Sequence, residues 1–234
     1  MVINFKTTTR VGEAAEFIVS SISNQLKIGK QVLFFVTGGS SIAVGIKVSE
    51  LLRENLQANL TKNLTIMMTD ERYGVLGHQD SNWHQLMERG FRIPRAKLIP
   101  ILNGNDRAST VEKFNKNLSQ ELMENKETKY KIGLFGIGAD GHTAGILPKS
   151  EVVSDAVKSE DLAFGYDTLT FSRITVTPKA IEKLDEIVAW VQGEDKWSVL
   201  ESLEKDIPVI EQPAQILKKV PSLTIFTDYK KTNG

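Results

Sequence analysis

Cysteine is absent from the chain, which excludes disulfides, thiolate metal sites and a cysteine nucleophile, and removes one reason to expect secretion. Net charge is absent too. The 29 Lys and Arg balance the 29 Asp and Glu, so no overall field favours nucleic acid or an anionic membrane, and any bound anion must be held locally. No apolar run approaches the roughly 20 residues of a membrane-spanning helix, and the opening "MVINFKTTTR" lacks the basic-then-apolar pattern of a signal peptide. Linkers rich in Pro, Gly or Ser are missing, as are repeats and low-complexity segments. One cytoplasmic domain over residues 1–234, large enough for a full hydrophobic core, is expected.

What is present is an alternation of helices and apolar strands. After a short strand at Val2, Ile3 and Phe5, Thr9 is placed to cap a helix whose apolar face is Val11, Ala14, Ala15, Ile18, Ile22 and Leu26, with Gly29 placed to end it. "QVLFFVT" is a continuous apolar run, as expected of a strand buried on both faces. The helix "SIAVGIKVSELLREN" then precedes "LTIMMTD", "SNWHQLMERG" precedes "KLIPIL", and "STVEKFNKNLSQELMEN" precedes "YKIGLFGIG". Further strands follow at "LAFGYD", "SRITVTP", "EIVAWVQG" and "SLTIFTD", with a helix from Glu194. This order predicts an α/β fold: a mostly parallel sheet flanked by helices, with a few antiparallel additions and ligands at the carboxyl ends of the strands.

Four strand ends carry candidate chemistry. "FFVTGGSSIAV" runs from a strand through Thr37, Gly38, Gly39, Ser40 and Ser41 into a helix. It offers free backbone N–H groups and hydroxyls to a phosphate, or is an ordinary turn with a serine cap; a Walker loop would need a Gly-Lys-Ser/Thr ending. "MMTDERYG" places Asp70, Glu71 and Arg72 at a second end, where charges commonly face water, and Ser81 and Asn82 downstream start a helix that at least one of them caps.

The third, "FGIGADGHTAGILP", has Gly136, Gly138 and Gly141 on the spacing of a dinucleotide site. Such a site needs a long helix starting within the glycines and an acid ending the next strand. Here Pro148 limits any helix after His142 to fewer than two turns, and Glu160 and Asp161 precede the next strand. The more telling pair is Asp140 and His142, because a carboxylate beside a histidine orients the ring and stabilises its protonated form, which suits a general base. Of the other two histidines, His78 falls in a loop and His84 on a helix, where structural or solvated roles are expected; a metal site at Asp140 and His142 lacks a third ligand. At the fourth end, Lys196 follows Gly193 in the first turn of a helix, placed for a point-charge contact to a phosphate, while Trp197 and Leu200 read as core.

Taken together, "TGGSS", "TDERYG" with "DSN", "FGIGADGHTAGILP", "VTPKAIEKLDEIVAWVQGEDK" and "QPAQIL" resemble, in this order and over nearly the whole chain, the 6-phosphogluconolactonases, relatives of the glucosamine-6-phosphate deaminase/isomerases. The resemblance implies a modified Rossmann-like fold and hydrolysis of 6-phospho-D-glucono-1,5-lactone to 6-phosphogluconate, a step of the oxidative pentose phosphate route. It implies catalysis by His142 with Asp140, a phosphate held by Gly38, Gly39, Ser40 and Lys196, Ser41 and Asp70 in the same substrate pocket, and Arg72 serving either the phosphate or the oxyanion. No metal, no organic cofactor, no nucleic acid and no membrane partner is implied, and a monomer or small homo-oligomer is expected. The deaminases resemble the chain less well: they carry an Asn-Glu pair after the loop histidine, whereas residues 143–148 here read Thr-Ala-Gly-Ile-Leu-Pro without an acid. The chain also departs from the lactonase pattern, with Ser41-Ile42 in place of Thr-Pro and Gly145-Ile146-Leu147 after the His-Thr-Ala run. A sugar-phosphate isomerase or deaminase, and a non-catalytic sugar-phosphate sensor, are the competing readings.

Overall fold

The computed structural model describes residues 3–56, 58–122, 128–154 and 160–230. Its first half comprises β1 (Asn4–Thr7), α1 (Val11–Lys27), β2 (Gln31–Val36), α2 (Ile42–Asn55), α3 (Ala58–Thr61), β3 (Leu64–Met68), β4 (Asp70–Arg72), α4 (Asn82–Glu88), β5 (Lys97–Ile99) and α5 (Arg107–Leu122). Then follow β6 (Lys129–Phe135), β7 (Ala163–Asp167), β8 (Ser172–Val176), α6 (Pro178–Ile181), β9 (Glu186–Val191), α7 (Trp197–Leu203) and β10 (Ser222–Thr227).

Seven strands form one sheet in the order β1-β10-β9-β6-β2-β3-β5, parallel throughout. The apolar runs are its central strands: all of β3 and β9, and β2 from Val32 onward, are buried. Helix α1 turns Ala14, Ala15, Ile18, Ile22 and Leu26 inward, the face its periodicity predicts. It ends at Gly29, where the N–H groups of Gly29 and Lys30 bond back to Leu26 and Gln25. Its start differs from expectation. Arg10 occupies the cap position without a side-chain bond, and Thr8 rather than Thr9 accepts the Arg10 N–H.

A second sheet, β4-β8-β7, is antiparallel. Strand β4 is the element the sequence pattern does not announce. Thr69 joins the two sheets: its N–H continues the main ladder to Val36 O, while its carbonyl accepts from Val176 in the second sheet. From β2 the chain moves outward through β3 to β5, then returns to lay β6 on the other side of β2. The carboxyl ends of β2 and β6 therefore flank a topological switch point, where an open α/β sheet leaves a crevice.

Candidate active site

Three adjacent strands, β9, β6 and β2, deliver their carboxyl-terminal loops to that crevice. Residues 38–41, residues 136–139, His142, Ala144 and Lys196 line a cavity of about 360 Å³, within the range of small-molecule sites. A larger cleft, of about 670 Å³, lies between residues 147–151 and the β7–β8 hairpin. It contains no histidine, whereas His142 lines the smaller cavity with Asp140 behind its ring.

The loop after β6 folds on itself. Gly138 N–H donates to His142 O at 2.9 Å and Gly141 N–H to Gly138 O at 2.9 Å. Asp140 Oδ1 accepts from the His142 backbone N–H at 3.0 Å and meets the His142 ring Nδ1 at 2.6 Å. A carboxylate can only accept, so Nδ1 carries the proton and Nε2 is left with its lone pair for the cavity. Partial burial pushes the Asp140 carboxyl up, but the His142 N–H, the ring's charge and the ring hydrogen bond outweigh it and hold the group below its ordinary value. Gly138 makes room for this pair, because a side chain there would overlap Nδ1 and Cε1 of the ring and come within 2.8 Å of Asp140 Oδ1. The rest of the loop is tied to its surroundings: Thr143 Oγ1 donates to Gly136 O, Gly145 N–H to Thr175 Oγ1, Tyr166 OH to Gly145 O, and Ala214 N–H to Gly141 O. No helix starts at His142: a bridge joins Thr143 and Ile146, and the next helical segment is a 3-10 turn at Glu151–Val153.

The loop after β2 passes through a 3-10 turn, Gly39–Ser41, directly into α2. Its leading N–H groups have no helical partner, which favours an anion in the cavity. Gly39 takes φ +63°, a conformation that glycine adopts without strain. At Gly38 a side chain would overlap Asn82 Oδ1. Ser40 is exposed, whereas the buried Ser41 hydroxyl donates to Phe135 O and Trp190 O, bridging the ends of β6 and β9. Ser41 thus lines the cavity while its hydroxyl serves the sheet.

Asp70 and Arg72 stand outside this lining. Asp70 is buried, accepts from Thr69 Oγ1 and Asn82 Nδ2, and pairs with Arg173 at 3.6 Å. Arg72 donates to Asp80 O and lies beside the Phe171 ring, which Arg173 also approaches. Glu71 is fully buried: it takes the Ser81 hydroxyl and the N–H groups of Arg72, Asn82 and Trp83, joining β4 to the start of α4. Burial pushes the Glu71 carboxyl up against the pull of those four donors. These acids do not face water as charges at a strand end commonly do. Ser81 caps α4 by accepting from His84 N–H, as expected. His78 bonds to Arg72 O within its loop and His84 pairs with Glu88.

Asn82, read from the sequence as a helix start, turns its side chain toward Gly38 and Asp70, while Arg173 and Asp228 are residues that the sequence pattern does not single out. Arg173 sits mid-strand and becomes visible only through its β4–β8 register with Arg72. Asp228 closes "SLTIFTD" at a strand's carboxyl end, a signal that was available. Among the described residues, no group of three or more His, Cys, Asp or Glu is arranged to hold a metal ion, and no helix is long and apolar enough to cross a membrane.

Comparison with known proteins gives a consistent answer. The profile of the glucosamine-6-phosphate isomerases/6-phosphogluconolactonase family matches residues 6–225. The 6-phosphogluconolactonase of Borreliella burgdorferi is 24% identical over 209 residues, covering 84% of this chain and 83% of that protein. Among solved structures, the 6-phosphogluconolactonase of Thermotoga maritima superposes with a TM-score of 0.79 at 21% identity, covering 97% of this chain and 98% of that one. That of Trypanosoma brucei gives 0.75 at 19% identity, covering 96% and 95%. At such identities the structural likeness establishes the fold.

Proposed function

The chain belongs to the glucosamine-6-phosphate isomerase/6-phosphogluconolactonase family, and on that premise we propose that it hydrolyses 6-phospho-D-glucono-1,5-lactone to 6-phospho-D-gluconate, within the oxidative pentose phosphate route. The observation that carries this reading is the 2.6 Å contact between Asp140 and His142 Nδ1 on the wall of the switch-point cavity. Ester hydrolysis needs a base for water, donors for the developing oxyanion and an anchor for the substrate. His142 Nε2 takes a proton from the attacking water as the new C–O bond forms. It returns that proton to the ring oxygen as the lactone C–O bond breaks, giving the free carboxylic acid, which then ionises. Asp140 stabilises the intervening imidazolium. The isomerase reading wants a further acid close behind the histidine, and residues 143–148 supply none.

The substrate phosphate is assigned to the backbone of Gly38, Gly39 and Ser40 with the Lys196 ammonium. Ser41, Asp70 and Arg72 act around this anchor: Ser41 fixes the ends of the neighbouring strands, Asp70 bonds the Asn82 side chain that abuts Gly38, and Arg72 holds the 73–80 loop. The decisive assay generates the lactone in situ from glucose 6-phosphate and follows 6-phosphogluconate with a second dehydrogenase. Acceleration over the uncatalysed rate is expected. Ammonia release from glucosamine 6-phosphate without lactone turnover, or saturable binding without any turnover, would replace this reading.

Two further outcomes follow. For Lys196→Ala, KM is expected to rise roughly 10- to 100-fold, the worth of a charged hydrogen bond, with kcat nearly unchanged, because the phosphate contact is shared by ground and transition states; a wild-type KM would remove Lys196 from the site. The second outcome concerns pH. Asp140 is depressed in the fold, so it remains ionised as pH falls through the ordinary carboxylate range, and the stability it adds is lost only as pH drops to its folded value. That contribution is small at a half-exposed side chain. The profile of kcat/KM should therefore show no limb from Asp140 across the ordinary carboxylate range. A limb in that range would mean that another carboxylate takes part in the step.

A further inference from the structure

Lys196 sits on a turn held from behind by one carboxylate. The chain leaves β9 through Gly193, enters a 3-10 turn at Glu194–Lys196 and continues into α7 at Trp197. The Gly193 N–H meets Oδ2 and Oδ1 of Asp228 at 3.1 and 3.2 Å. The Trp197 indole N–H donates to Oδ1 of the same carboxylate at 3.1 Å. Asp228 therefore grips both ends of the turn, three residues before the lysine and one after it. Inside the turn the Lys196 N–H donates to Gly193 O at 3.0 Å.

The turn needs such a hold. Gly193 lies at φ +110°, where a side chain would also strike Asp195, and the α7 that follows is only seven residues long, too short to fix its own start. The indole is braced from the other side by Tyr229, whose ring centroid lies 5.9 Å away and whose hydroxyl donates to Glu201. Asp228 itself follows the last residue of β10, a strand locked between β1 and β9. A lysine on a flexible stem gives an anchor only as good as the backbone that aims it.

We propose that Asp228 is a positioning residue for Lys196: it sets the ammonium over the cavity without touching the ligand. This rests on the assignment of Lys196 to the substrate phosphate. It predicts an effect confined to the binding that Lys196 provides. In Asp228→Ala, KM for the phosphorylated lactone should rise about tenfold with kcat within twofold of wild type. Asp228→Asn keeps the shape and one acceptor and should fall between the two. In the Lys196→Ala background, the Asp228→Ala change should add less than twofold to KM, because an anchor that is gone cannot be misplaced.

The experiment measures kcat and KM for wild type, Asp228→Asn, Asp228→Ala, Lys196→Ala and the double variant, at a temperature well below each melting point. A coupled, KM-only effect supports the assignment. It is overturned if the Asp228 variants keep a wild-type KM while Lys196→Ala does not, or if the two changes multiply in the double variant, as expected of a residue that merely stabilises the fold. An unchanged KM in Lys196→Ala instead removes the phosphate assignment itself, and with it the premise.

Discussion

Replacing His142 with alanine is expected to lower kcat by about 10²–10⁴ while leaving KM within a few fold of wild type. The split follows from where the ring acts. His142 meets the attacking water and the leaving oxygen, whose charges develop only on the way to the transition state, whereas the phosphate is held by the Gly38–Ser40 backbone and Lys196. The ring is about two-fifths exposed, so its removal leaves no buried cavity, and the melting temperature should stay close to wild type. Measurement is best made at mildly acidic to neutral pH, where spontaneous opening of the lactone is slower. Full turnover in the variant would refute the general-base assignment. A rise in KM with unchanged kcat would make His142 a binding residue, leaving the water to be activated elsewhere.

The ease with which parts of this molecule are read from its sequence depends on how local their physics is. Strands β2, β3 and β9 are legible because both faces are buried, which requires a continuous apolar run. The Asp140–His142 pair is legible because its partners are two residues apart and the turn between them is written in glycine. Strand β4 is not legible. Asp70 and Glu71 look like solvent-facing charges, and what allows their burial is tertiary: four donors gather on Glu71 from Arg72 and the start of α4, ten to twelve residues downstream for three of them, and Arg173 arrives from another strand. The position of Arg72 is opaque for the same reason, since it depends on the register between β4 and β8. The cavity lined by His142 and Lys196 opens at the strand ends, where the rule for open α/β sheets puts a crevice. Which of the charged residues at those ends line it, Lys196 but not Asp70 or Arg72, was decided by pairings that a single sequence does not display.

The role of Gly138 yields the second large effect. Its φ is not in the left-handed region, so alanine is allowed there by the backbone, and the obstacle is purely one of space. The new methyl would occupy the position of the His142 ring edge and press on Asp140 Oδ1. The backbone cannot retreat, because the Gly138 N–H is bonded to His142 O and the Gly141 N–H to Gly138 O. The ring must swing away by more than an ångström, and it loses both its aim at the substrate and its contact with the carboxylate that fixes its tautomer. Misplacement on that scale costs on the order of 10² in rate, and the lost partner adds to it, so Gly138→Ala should lower kcat by about 10²–10³ with KM little changed. Gly136→Ala is the matched control: its methyl would meet only the Ser41 hydroxyl oxygen, at 3.2 Å, and a small effect on kcat is expected. The displaced ring can turn into water, so the melting temperature of Gly138→Ala should remain near that of wild type, separating a lost catalytic geometry from a lost fold. Wild-type turnover in Gly138→Ala would mean that catalysis does not use the ring where Gly138 lets it lie, and the assignment of the dyad would have to be abandoned.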